Sequence, residues 1–173
     1  MRETSLGWRD VVVESAGTML AVRDYGGNGD PPLLLLHGSG DTLAAWEEVS
    51  PLLARSFRVV AYDAPGHGHS DAPREAPRLS HFFDAVDDVA AALRLRRPIL
   101  VGHSMGGVVV LLYAAERRGA RCVISIDGAY VREASDPPRA PAGEEQIRSA
   151  GVGVLLSSRT MTSACAPGFN SGE

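Results

Sequence analysis

The nine residues Ile99-Leu-Val-Gly-His-Ser-Met-Gly-Gly107 restrict the fold of this chain more than any other stretch. An apolar run of the kind that forms a buried strand leads straight into Gly102-His103-Ser104-Met105-Gly106, and an apolar run long enough for a helix follows at once. A strand and a helix joined in this way place Ser104 at the tip of a sharp turn. The glycine spacing has a steric cause. In so tight a turn the residues on either side of the serine lie against neighbouring backbone, where a Cβ would clash. The alternative is a plain glycine-serine loop, but the strand before and the helix after favour a displayed serine.

The rest of the chain supplies matching elements. Val11–Val13 and Met19–Arg23 are β-like runs around Ser15-Ala-Gly17 and predict a hairpin. Gly26-Gly-Asn-Gly-Asp-Pro-Pro32 is a turn cluster that delivers Leu33–Leu36, a continuous apolar run expected of a strand covered on both faces. This strand ends in His37-Gly-Ser-Gly40. Leu43, Trp46, Val49 and Leu53 then recur at helical spacing, predicting a helix over about 42–55 that is interrupted or restarted at Pro51. Phe57–Tyr62 is a further strand, entering the glycine-rich loop Asp63-Ala-Pro-Gly-His-Gly-His-Ser70.

Ser80 is a candidate N-cap for a helix with Phe83, Val86, Ala90 and Leu93 on one face, ended by Arg94–Pro98. The helix after Ser104 is expected from about Met105 to Arg118, with Gly119 as its cap, before the strand Arg121–Ile126 and Asp127-Gly128. Strands alternating with helices predict an α/β fold, a mostly parallel sheet with helices on both faces. In such sheets reactive groups collect at the carboxyl ends of the strands, where His37, Asp63, Ser104 and Asp127 all fall.

At 173 residues the chain makes about one domain. Residues 1–131 read as core, and 132–173 as a linker, the start of a cap, or a disordered tail. A net charge of −4 makes no electrostatic case for nucleic acid or an anionic membrane. The first residues lack the apolar core of a signal peptide, and no apolar run reaches membrane-spanning length, so a cytoplasmic protein is expected. Cys122 and Cys165 are expected to be reduced, since two cysteines make neither a disulfide framework nor a metal site.

Taken with His37-Gly-Ser-Gly40 and Asp63-x-x-Gly-x-Gly-x-Ser70, the serine motif resembles the α/β-hydrolase superfamily over roughly residues 10–130. The likeness is strongest to the small esterase, haloperoxidase-like and carbon-carbon bond hydrolase branch. It implies Ser104 as nucleophile, and backbone N–H groups of Met105 and of Ser39 or Gly40 as the oxyanion hole, each donor contributing about 3 kcal/mol to transition-state stabilisation. It implies structural support from His37, Gly102, His103, Gly106 and Asp63. His103 is expected to project from the opposite side of the turn to Ser104, and His81 to lie exposed in a first helical turn. His67, His69 and Asp63 suggest a metal site by composition, but the family pattern reads that loop as a backbone turn, so no metal and no cofactor is expected.

A serine hydroxyl needs a base, and the family order is serine, acid, histidine. No histidine follows His103. Asp127 is either the acid, as in relatives that place it after the sixth strand, or a turn residue before Gly128. The expectation is therefore an amino-terminal portion of the fold, incomplete at its C-terminal end. It would be a hydrolase of small esters or related acyl compounds lacking its catalytic histidine; a non-catalytic protein that binds a ligand or partner, or a cofactor-free haloperoxidase-type enzyme, are the alternatives. A sheet without its last strands exposes an apolar edge. Isolated chain is thus expected to associate or precipitate, and sedimentation as a compact monomer would contradict this.

Overall fold

The computed structural model describes residues 7–128, together with the backbone of two short strands at 2–3 and 162–165. In chain order the elements are β1 (Arg2–Glu3), β2 (Arg9–Ser15), β3 (Thr18–Gly26), β4 (Leu33–Leu36), a 3-10 turn (Leu43–Trp46), α1 (Ser50–Leu53), β5 (Val59–Tyr62), α2 (Leu79–Ala92), β6 (Ile99–His103), α3 (Met105–Glu116), β7 (Cys122–Ile126) and β8 (Thr162–Cys165). They form a single mixed sheet in the order β1-β2-β3-β5-β4-β6-β7-β8. Its central strands β5, β4, β6 and β7 run parallel, and the β2–β3 hairpin extends the sheet antiparallel at one side.

The all-apolar strands follow from this layering. In β4, Leu34 and Leu36 point into one core while Leu33 and Leu35 point into the other, so a period of two with both faces buried demands four leucines in a row. The first face packs Val60, Tyr62, Leu100 and Val123 beneath α2 and α3. Phe83, Val86 and Val89 recur on the buried stripe of α2, and Val109, Val110 and Tyr113 on that of α3. The second face sets Val59, Ala61 and Val101 against Leu43 and Trp46 of the 3-10 turn. The expected α/β architecture with helices on both faces is what forms.

Three local expectations are corrected and one is borne out. The helix expected over 42–55, interrupted or restarted at Pro51, is two short pieces, the second opening at that proline. Thr42 Oγ1 accepts the Ala44 N–H to start the 3-10 turn, and Pro51, which cannot continue a ladder, instead sits in the first turn of α1. Ser80 lies inside α2, whose N-cap is extended Arg78 with its N–H donated to His81 Nδ1 at 3.1 Å. Gly119 does not cap α3, which ends at extended Arg117; a side chain at 119 would stand 2.1 Å from the Tyr113 hydroxyl. Cys122 is disulfide-bonded rather than reduced, and the register of β7 with β8 sets Cys165 opposite it. That register brings Thr162–Cys165 into the sheet from within the segment expected to be linker or tail; the boundary expected at 131 lies outside the described residues.

The two long helices are also joined by polar contacts. Tyr113 Oη donates to Asp87 at 2.5 Å, and Arg117 bridges Asp87 at 2.6 Å and Asp84 at 3.0 Å. Burial, with the adjacent Asp87 carboxylate, holds the Tyr113 phenol far above its ordinary range, so it stays a donor. Tyr113→Phe keeps the ring's packing and removes only the hydrogen bond to a charged partner. It should lower stability by about 1.5–3 kcal/mol, read as a reduced urea midpoint at unchanged slope.

Candidate active site

Ser104 joins β6 to α3 with φ 51° and ψ −114°, a conformation that L residues avoid. The glycines around it show why it persists. A Cβ at Gly102 would stand 2.1 Å from the Gly106 carbonyl oxygen, and one at Gly106 would stand 2.4 Å from that of Leu36 and 2.7 Å from that of His37. Neither position admits another residue. The Ser104 N–H donates to Ile126 O at 2.8 Å, carrying the β6–β7 ladder one step past the strand. Such strain costs about 1–3 kcal/mol and is held by the packing around it. The Ser104 side chain is partly exposed and makes no hydrogen bond within the described residues. Met105 begins α3, so its N–H has no helical acceptor.

Beneath this turn two buried polar side chains cross-link the loops after β4 and β5. His37, 1% exposed, accepts the Ala64 N–H on Nε2 at 2.9 Å, which places the proton on Nδ1, and Nδ1–H donates to Gly38 O at 2.7 Å. Asp63, fully buried, accepts the Leu43 N–H at 2.7 Å on one oxygen and the His69 N–H at 2.8 Å on the other. Gly68 lets this loop wrap the carboxylate, since a Cβ there would lie 2.2 Å from Asp63 Oδ2. Ser70 completes the tie by donating to Asp63 O at 2.6 Å and accepting the Ala21 N–H from β3 at 2.9 Å.

The structure brings His37, Asp63, Ser104 and Asp127 to the carboxyl ends of β4, β5, β6 and β7. Ser39 and Gly40 form an exposed turn beside them, Gly40 at φ 71°. Asp127 is exposed, also at φ 51°, and makes no hydrogen bond or ion pair within the described residues. The His67 ring lies 5.3 Å from that of His37, with Nδ1 3.2 Å from Pro65 O, and the His69 side chain points to solvent. No group of three potential metal ligands converges among the described residues.

His103 and Ser104 both border Gly38, where a Cβ would meet His103 Nδ1 at 3.1 Å and Ser104 Cβ at 3.2 Å. Sequence reasoning missed Gly107 and Gly128, whose Cβ positions fall 2.5 and 2.3 Å from the buried Ser125 Oγ. The doubled glycine Gly106-Gly107 was the available signal.

A serine raised on a strand-to-helix turn, above the carboxyl ends of the central parallel strands, is a feature of one class of α/β folds. The family model of the alpha/beta hydrolase fold matches residues 31–166, and the chain belongs to that family. It is 40% identical over 84 residues to an uncharacterized protein of Mycobacterium tuberculosis, covering 49% of this chain and 25% of that one. It is 38% identical over 92 residues to a serine hydrolase-like protein of Homo sapiens, covering 52% and 45%. The crystal structure of a membrane phospholipase A described as a bacterial virulence factor superposes with a TM-score of 0.67 at 33% identity, covering 76% of this chain and 43% of that one. The chain thus spans less than half the length of these relatives. No helix among the described residues is long and apolar enough to cross a membrane.

His37 gives the site a pH signature. Burial holds its pKa below the ordinary 6.5, opposed by the bond to Gly38 O. Below pH 6.5 the unfolded chain binds a proton that the folded one refuses, so the His37 contribution is complete above that value and is lost as pH falls toward the depressed folded pKa. Unfolding midpoints should therefore decline from about pH 6.5 downward. His37→Gln should be less stable at pH 8 by about 1–3 kcal/mol and lack that decline below about pH 6.5. An identical pH slope in the variant would assign the titration to another group.

Proposed function

We propose that this protein is a serine hydrolase acting on small carboxylic esters or related acyl substrates through a covalent acyl-enzyme at Ser104. The observation that carries the reading is the positive-φ serine on a glycine-walled turn at the start of α3, a strained conformation that serves to lift Oγ clear of the sheet. In this reading Ser104 Oγ attacks the acyl carbon, and the oxygen of the tetrahedral intermediate takes hydrogen bonds from the N–H of Met105 and of Ser39 or Gly40. The names of the human serine hydrolase-like relative and of the structurally similar phospholipase A support both the nucleophile type and the ester class. Asp127, one ladder step from Ser104, is the residue we assign as the acid that would orient a histidine.

The proton acceptor is the demanding part. None of the five histidines hydrogen-bonds the Ser104 hydroxyl, so this chain is expected to react slowly. Over hours, a fluorophosphonate probe should label the folded protein about tenfold above Ser104→Ala, because the oxyanion donors alone retain part of the rate enhancement. Equal labelling of the two proteins would remove the claim that Ser104 is a nucleophile.

A further inference from the structure

The geometry points to His103 as a positioning residue that sets the gap between Ser104 and the N–H groups of Ser39 and Gly40, an inference that rests on the serine-hydrolase reading above. The loop Gly38–Gly40 is held from beneath, because His37 Nδ1–H binds Gly38 O while its Nε2 is fixed to Ala64. Nothing in that pair of bonds sets how closely the loop approaches Ser104. That approach is limited at Gly38, where the point a Cβ would occupy lies 3.1 Å from His103 Nδ1, 3.6 Å from His103 Cε1 and 3.2 Å from Ser104 Cβ. The edge of the imidazole and the β-carbon of the serine thus form one wall that faces the side-chain-free side of Gly38, close enough that even one methyl there would be tight.

His103 closes β6 in register with Ile126, so its backbone is fixed by the ladder while its half-buried ring makes no hydrogen bond within the described residues. The ring therefore acts by its volume. Without it, the loop has space to settle toward β6, and the Ser39 and Gly40 N–H groups shift relative to Oγ. A displacement of about 1 Å at such donors is enough to slow a reaction by about 100-fold. His103 is thus read as a spacer for the oxyanion loop and not as the base for Ser104.

The test measures the rate of fluorophosphonate labelling for wild type, His103→Ala and His103→Phe, with urea midpoints for each and Ser104→Ala as the blank. His103→Ala should slow labelling by about tenfold or more, while His103→Phe, which keeps a planar ring without a titratable nitrogen, should stay within about threefold of wild type. The urea midpoint should not follow that pattern. Labelling of His103→Ala at the wild-type rate would overturn the inference, and so would equal loss in both variants, which would assign the nitrogen rather than the volume. Should His103→Ala not fold, Gly38→Ala and its pairing with His103→Phe and His103→Gln decide it. The added methyl should slow labelling, more with the larger Phe at 103 than with the flexible Gln, and additive effects would overturn the inference. A wild type that labels no faster than Ser104→Ala would remove the serine-hydrolase reading and this inference with it. A labelled wild type with an indifferent His103 would remove this inference alone.

Discussion

The contact on which the structure depends is the one between α3 and the end of β4. The Cβ position of Gly106 lies 2.4 Å from Leu36 O, so the first turn of α3 sits directly on the last peptide of β4. That closeness exists only with β4 and β6 paired in the register Leu36↔Gly102. A slip of one residue would turn every leucine of β4 to the wrong core and set another residue against Gly106. Elbow, register and two-sided burial are therefore a single constraint. The strain at Ser104, about 1–3 kcal/mol, is offset by α3 itself, where Val109, Val110 and Tyr113 are buried and each apolar side chain contributes about 1.5–3 kcal/mol.

A second constraint fixes the loops around the elbow, and it is reciprocal. His37 leaves the end of β4 and holds the loop after β5 at Ala64; Asp63 leaves the end of β5 and holds the loop after β4 at Leu43. Each strand end thus supplies the side chain that satisfies the other's loop. Both side chains are buried, so an unpaired N–H at Ala64 or Leu43 would carry the full cost of a buried orphan donor. The loops cannot drift independently, which gives Ser39 and Gly40 a defined base even though they are exposed.

What was legible in the sequence follows from the range of the forces involved. The Leu33–Leu36 run, the glycines at 102 and 106 and the positions of His37 and Asp63 are consequences of local steric and burial rules, and those rules leave a pattern in consecutive residues. The errors fall where a distant partner decides. Gly119 looked like a helix cap because a glycine after a helix usually is one, but it is small to admit the Tyr113 hydroxyl. Ser80 has the chemistry of an N-cap, yet α2 starts earlier because His81 satisfies the Arg78 N–H. Cys122 is bridged where the strand register, not the cysteine count, sets its neighbour. None of these can be computed from spacing alone.

Polar groups are distributed asymmetrically about the carboxyl ends of the strands. Below the elbow the His37 and Asp63 side chains are each bound twice, whereas above it the Ser104 hydroxyl and the Asp127 carboxylate have no partner among the described residues and the Met105 N–H has no helical one. Fixed dipoles beneath and open ones above are the arrangement in which donors meet developing charge without first reorganising. The register also constrains any mechanism through Asp127. Because Ser104 N–H continues the ladder to Ile126 O, the Asp127 backbone lies about one strand spacing, ~4.8 Å, from that of Ser104. A histidine linking hydroxyl and carboxylate needs two hydrogen bonds of about 2.8 Å plus the width of its ring. It cannot fit between the two backbones, so the side chains must diverge upward and the ring must enter from above the sheet. Positive φ at both Ser104 and Asp127 redirects their Cβ atoms out of the strand's alternation, the backbone change that such divergence requires.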